Sequence, residues 1–151
     1  MTGTGGSGPV VFAYDGSELA KRAIAEAGRL LQAGGEALVL TVWQPFDVGF
    51  LPAPGLQFDA AQIADVRAAA AQTAAEGAAL AEAAGFRAQS AEIEQSPTWK
   101  AIAELADERD ARLIVLGSHG RSGLAGALVG SVAGSVAAHS RRSVLIVHRG
   151  S

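Results

Sequence analysis

An unbroken apolar run, Leu113-Ile114-Val115-Leu116, stops at Gly117-Ser118-His119-Gly120, and after a stretch of small residues Gly130-Ser131 begins a second apolar segment that reaches His139. Four apolar residues without alternation read as a strand buried on both faces, the situation of a central strand in a parallel sheet. The segment from Gly130-Ser131 to His139 reads as a helix. Glycine has no Cβ, so a ligand can lie directly against the main chain. A helix start adds unpaired N–H groups and a partial positive charge. A strand, a glycine loop and a helix in that order are therefore suited to hold an anion, and the fixed positions here are Gly117-x2-Gly120-x9-Gly130-Ser131.

The rest of the chain supplies the covering that such a strand requires. Val10–Tyr14 reads as a strand, and Asp15-Gly16-Ser17 turns it into a helix from Glu18 to Ala33, with Ser17 as N-cap and Glu18 complementing the dipole. Leu19, Ala23, Ile24, Ala27, Leu30 and Leu31 form one apolar face of that helix, and Gly34-Gly35 ends it. Ala37–Trp43 is a second strand. Residues 44–58 carry Pro45, Pro52 and Pro54 and read as a long irregular loop, either a binding element or a segment packed on the domain's own surface. An alanine-rich helix follows over Asp59–Ala84, with Gly77 as its weak point and Gly85 as its stop. Phe86–Glu94 alternates as an outer strand. Ser96-Pro97 starts a helix to Arg109, with Ser96 as cap and Pro97 at the first helical position, and Ser143–His148 is the last strand. Strands alternating with helices predict a parallel sheet with helices on both faces.

With 151 residues the chain is long enough for one domain with a real core, and because only 5% of it is aromatic that core must be built from Ala, Val, Leu and Ile. Residues 1–8 read as a flexible tail. Their Gly3-x-Gly5-x-x-Gly8 spacing precedes the first strand instead of following one, so it is not a dinucleotide fingerprint. A formal net charge of −3 with scattered basic residues argues against nucleic-acid binding. No apolar window is long enough for a membrane span, no signal peptide is read, and the absence of cysteine excludes disulfides and thiolate metal sites. A cytoplasmic protein fits these features. Neither lysine, Lys21 or Lys100, follows a glycine loop, so there is no Walker-type phosphate loop, and no G-x-S-x-G elbow occurs.

The motif Gly117-x2-Gly120-x9-Gly130-Ser131, together with Val11-Phe12-Ala13-Tyr14-Asp15-Gly16-Ser17 and Ser143-Val144-Leu145-Ile146-Val147, resembles the nucleotide-binding members of the universal stress protein family. The resemblance implies a five-stranded parallel sheet in the order 3-2-1-4-5, Rossmann-like and of the adenine-nucleotide alpha-hydrolase type, forming a single domain over residues 9–151. That order puts a topological switch point between strands one and four, where ligands bind beyond the carboxyl ends of the strands. It further implies that Gly117 lies near the ribose, that Gly120, Gly130 and Ser131 hold phosphates through backbone N–H groups and a hydroxyl, and that Asp15 contacts the adenosine and helps a metal. Ala13 then lines the adenine pocket and the backbone of Val42 reads the adenine edge. Leu116, Ser118, His119, Arg121 and Val132 complete the expected set. His119 could donate to a phosphate. Arg121, the loop's one cation, could either screen phosphate charge or stand in solvent. Ala133 stands where a hydroxyl residue sometimes reaches the phosphates, which leaves ATP, ADP and AMP open.

The implied activity is binding of ATP with a divalent ion such as Mg2+ by a stress-response regulator that acts through nucleotide-dependent shape and partner contacts. The implied assembly is a homodimer in which Ser143–His148 pairs with its copy, consistent with an apolar terminal strand at a sheet edge needing a partner. A slow ATP hydrolase and a dimerisation module that binds no nucleotide remain as alternatives. No acid partner or nucleophile stands at a recognisable spacing from His119, so no catalytic residue is assigned, and three scattered histidines assign no metal ligand.

Overall fold

Successive residues of the first strand point to opposite faces, and both faces are covered. In the computed structural model, which describes residues 6–31, 34–45, 60–120 and 129–150, β1 (Val10–Ala13) is flanked by β2 (Glu36–Trp43) and β4 (Leu113–Gly117). Outside these lie β3 (Arg87–Glu94) and β5 (Val144–Val147), giving the order β3-β2-β1-β4-β5 with every pairing parallel. The intervening helices are α1 (Glu18–Leu30), α2 (Ala60–Ala83), α3 (Thr98–Glu108) and α4 (Ser131–His139). Val10 and Phe12 join one core with Ala23, Ile24 and Ala27 of α1 and Ala81 of α2. Val11 joins the other core, with Ile102 and Leu105 of α3 and Val136 of α4. The expected sheet order and two-faced helical covering are both found. Residues 1–5, most of the long loop (46–59) and Arg121 lie outside the described residues.

Element ends differ from the sequence reading where tertiary contacts take over. The first helix stops at Leu30 rather than Ala33: Leu31 is extended, Gly34 has φ +91°, and its N–H bonds the Gly85 carbonyl at 2.7 Å. Leu30, expected on the apolar face, is 61% exposed. The first strand stops at Ala13 rather than Tyr14. The Tyr14 N–H still bonds Leu40, but its carbonyl accepts the Thr41 hydroxyl at 2.9 Å and leaves the ladder. Phe86 lies between α2 and β3: its N–H returns to Ala81 (3.0 Å) and its ring meets Phe12 edge-on at 5.4 Å. Ser96 does not cap α3. Pro97 holds the cap position with extended ψ, no side chain caps the helix, and the first turn closes from Lys100 N–H onto the Pro97 carbonyl (3.2 Å). Ser17 does cap α1, accepting from Ala20 N–H at 3.2 Å.

Residues 7 and 8, read from sequence as part of the tail, are hydrogen-bonded. Gly8 N–H donates to the Asp110 carbonyl (2.7 Å), and both the N–H and the hydroxyl of Ser7 reach the Asp110 carboxylate (3.1 Å each). Arg142 bridges Asp107 (2.9 Å) and Asp110 (2.8 Å), tying the segment before β5 to the end of α3. The Ser7 amide foremost, then the Arg142 guanidinium, holds the Asp110 carboxyl below the usual aspartate pKa. A depressed folded-state pKa adds stability above the unfolded value, and this is lost as pH falls through the folded one. Asp110→Asn keeps a residue that tolerates the left-handed backbone found there (φ 51°) and removes the charge. The variant is therefore expected to melt slightly below wild type near neutrality. The two melting curves should converge as the pH drops below the aspartate range, and a gap that persists in acid would contradict this assignment.

Candidate functional site

The carboxyl ends of β1, β2 and β4 open into a cavity of about 770 Å³, within the roughly 300–1,000 Å³ typical of small-molecule pockets. It lies at the switch point, because β1 is followed outward by β2 on one side and by β4 on the other. Eleven of the twelve expected site residues line it: Ala13, Asp15, Val42, Leu116, Gly117, Ser118, His119, Gly120, Gly130, Ser131 and Val132. Arg121, the twelfth, lies outside the described residues. Residues a hundred positions apart in sequence thus share one wall, as the sheet order requires.

Around the end of β4 and the start of α4, three glycines sit where a Cβ would be crowded. A Cβ on Gly117 would sit 2.9 Å from Leu19 Cγ, one on Gly120 2.5 Å from Asp15 Oδ2, and one on Gly130 2.9 Å from the Ser118 carbonyl oxygen. Ser118 is 2% exposed and is held from behind, its N–H donating to the Val147 carbonyl at the end of β5 (2.9 Å). Gly130 is the N-cap of α4, and no side chain bonds the helix's first N–H groups. One expected role changes. The Gly130 N–H is not directed at the cavity; it donates to the Ser118 carbonyl at 2.6 Å and so closes the loop on itself. The main-chain donors at the helix start are therefore those of Ser131 and the residues just after it, which precede the first intrahelical bond, Gly134 N–H to Gly130 (2.9 Å). Ala133, where a hydroxyl was in question, is buried between the cavity, which it lines, and the core beneath α4.

Two side chains add chemistry to this frame. The His119 Nδ1 lies 3.2 Å from the Ser118 hydroxyl, and its buried Nε2 has no hydrogen-bond partner among the described residues. The His119 ring packs against Gly130, its Cδ2 3.5 Å from where that residue's Cβ would be. Asp15 accepts the Ser17 N–H on Oδ1 (3.0 Å), a local turn, while Oδ2 stands above Gly120. Among the described residues the wall carries no lysine or arginine. An anion held here relies on main-chain dipoles, a helix start and the imidazole.

Sequence reasoning did not find the opposite wall. Asp65, Ala69 and Thr73 of α2 face the cavity one turn apart, with Trp43 at the end of β2, Gln44 just past it and Thr98 at the start of α3. Two polar residues eight apart in an alanine-rich helix were the available signal. Gln44 joins these elements, its Nε2 donating to the Gln95 carbonyl (2.8 Å) and the Thr98 hydroxyl (3.1 Å). Trp43 donates its indole N–H to Glu92, which also takes Arg67 at 2.8 Å. The Tyr14 ring is buried with its hydroxyl on Glu76 (2.8 Å). Burial first, then that carboxylate, pushes the phenol pKa well above its ordinary value. Of the other histidines, His139 ends α4 and stacks on Trp99 at 4.6 Å, and neither it nor His148 lines the cavity.

A doubly wound parallel sheet with a cavity at its switch point defines a class of α/β domain in which ligands bind beyond the carboxyl ends of the strands. Comparison with known proteins is more specific. The model of the universal stress protein family matches residues 7–148, and the chain belongs to that family. The universal stress protein Rv2005c of Mycobacterium tuberculosis (strain ATCC 25618 / H37Rv) is 32% identical over 93% of this chain; the chain spans 45% of that protein's length. Among solved structures, a universal stress protein in complex with cAMP is 31% identical, with a TM-score of 0.63 over 95% of this chain and 98% of the other. The hypothetical protein MJ0577 shares the fold, with a TM-score of 0.78 at 22% identity over 94% of this chain and 96% of its own. Among the described residues no helix is long and apolar enough to cross a membrane.

Proposed function

We propose that this chain binds an adenine nucleotide in the switch-point cavity and works as a nucleotide-dependent regulator in stress response, in the cytoplasm, as one domain over residues 9–151. The observation that carries the reading is the set of glycines lining the cavity, Gly117, Gly120 and Gly130, where a Cβ would crowd Leu19, the Asp15 carboxylate and the Ser118 carbonyl, beside a buried imidazole nitrogen with no partner among the described residues. An orphaned buried polar atom is costly unless a ligand or water satisfies it. The similar universal stress protein solved with cAMP supports an adenine nucleotide as the ligand. Ala13 and the Val42 backbone flank the base, Asp15 and Gly117 the ribose, and Gly120, Ser131, Val132 and His119 the phosphate. Gly130 acts here by leaving room, its N–H being spent on Ser118.

ATP is the ligand this reading favours. With no group of three metal-ligating side chains among the described residues, a divalent ion such as Mg2+ is held through phosphate oxygens, with Asp15 as the protein's contribution. Three or four charge-assisted hydrogen bonds, each worth about 1.5–3 kcal/mol before desolvation and ordering costs, are enough for micromolar affinity. The chain dimerises through Ser143–His148, since β5 is an edge strand whose apolar Val144, Leu145 and Ile146 are only partly buried.

Native mass spectrometry of the purified protein tests the binding and the dimer together. The expected spectrum is a dimer that carries an adenine nucleotide or takes up added ATP or cAMP. Saturating nucleotide at 100 times the dissociation constant should also raise the melting temperature by about 5–10 °C. No copurifying nucleotide and no thermal shift with either ligand would sink the binding reading, and a monomer mass would sink the dimer.

A further inference from the structure

Asp15 can serve a ligand only if its carboxylate is aimed, and it sits in the turn just beyond β1, where ladder hydrogen bonds have ended. The atom that replaces the missing ladder bond comes from another strand. Thr41, one residue past the last β1–β2 register pair, is buried at 7% exposure and donates its hydroxyl to the Tyr14 carbonyl at 2.9 Å. That carbonyl belongs to the peptide unit whose nitrogen is Asp15's own. With Tyr14 N–H held by Leu40 (2.9 Å) and the tyrosine ring held at Glu76, the plane from which Asp15 departs is fixed on each side. The Asp15 carboxylate then closes on Ser17 N–H and stands over Gly120.

We propose that Thr41 is a positioning residue for the nucleotide site, its hydroxyl setting the Tyr14–Asp15 peptide so that the Asp15 carboxylate meets the ligand. A valine has the same shape and lacks the donor, so it leaves the Tyr14 carbonyl buried without a partner and free to rotate. The inference rests on the nucleotide-binding reading, and two readouts keep the two apart. By calorimetry with ATP, Thr41→Val is expected to bind about tenfold more weakly than wild type, a loss of one lesser hydrogen bond's worth of positioning, while Thr41→Ser, which keeps the donor, binds within about twofold of wild type. In an Asp15→Asn background the further loss on Thr41→Val should shrink to less than about twofold, because its route is through the carboxylate. An undiminished tenfold effect in that background, or no effect in wild type, overturns the inference. Amide hydrogen exchange without ligand gives the second readout. Thr41→Val should speed exchange at Ser17 severalfold while leaving Ala27, in the middle of α1, unchanged. Unchanged exchange at Ser17 overturns the inference even if nucleotide is never bound. If wild type takes up no ATP while Ser17 exchange responds, the binding reading falls and the positioning stands.

Discussion

Gly130→Glu is expected to abolish nucleotide binding while leaving a folded protein. Its Cβ would start 2.9 Å from the Ser118 carbonyl oxygen, to which the Gly130 N–H is bonded at 2.6 Å. The new side chain therefore carries a negative charge to the N-cap of α4, where the ligand's own charge is to be held. Losing two charge-assisted hydrogen bonds at about 1.5–3 kcal/mol each lowers affinity by roughly two to four orders of magnitude. Repulsion adds to that loss. Calorimetry with ATP measures it, and far-ultraviolet circular dichroism with a melt establishes that the fold survives. Gly120→Ala is the milder companion, because its Cβ meets only the end of the Asp15 side chain, which can swing aside. Uptake by the Gly130→Glu protein equal to wild type would remove the main-chain cradle from the argument, and the proposed function with it.

The largest expected effect on stability belongs to a residue far from that loop. A Cβ on Gly77 would lie 2.7 Å from both Tyr14 Cδ2 and Val39 Cγ1, so α2 rests on the sheet at a distance only glycine permits. The row facing inward is Val66, Ala70, Ala74, Gly77 and Ala81, mostly small residues that let the helix lie close on β2 and β3. Glycine in a helix interior costs roughly 1 kcal/mol relative to alanine, and close packing is what offsets it here. Gly77→Val forces the helix outward or bends Tyr14 away. Overpacking of this kind costs about 3 kcal/mol and should lower the melting temperature by about 6–12 °C, as scanning calorimetry would record. Tyr14 also carries the peptide that presents Asp15, so weaker ATP binding should accompany the loss. A variant melting within about 2 °C of wild type would mean that α2 can shift freely, contrary to the packing described.

The glycine at position 77 shows where reading the sequence ends. In sequence it is a weak point in an alanine-rich helix; in the fold it is where the helix meets the Tyr14 ring and Val39 of β2 with no room for a side chain. The motif from Gly117 to Ser131 was legible because the apolar run of β4 ends at Gly117 and the apolar run of α4 begins at Ser131, both set by local pattern. Asp15 was legible for the same reason, as the residue that turns β1 into α1. Thr41 was not, since nothing near it in the chain distinguishes a threonine facing a cavity from one facing solvent, and the spacing of Asp65 and Thr73 in an alanine-rich helix gave only a faint signal.

Sequence alone determined the alternation of strands and helices, the two apolar faces of each central strand, and the three glycines without a side chain around the end of β4 and the start of α4, because these depend on periodicity and on the absence of a Cβ. Only the tertiary structure decided where helices end and which donors stay available. The Gly34–Gly85 bond cuts α1 short, Thr41 draws the Tyr14 carbonyl out of the ladder, and Ser118 takes the Gly130 N–H. Each is a bond between groups brought together by a crossover or a folded-back loop, and partners chosen that way leave no mark on local sequence.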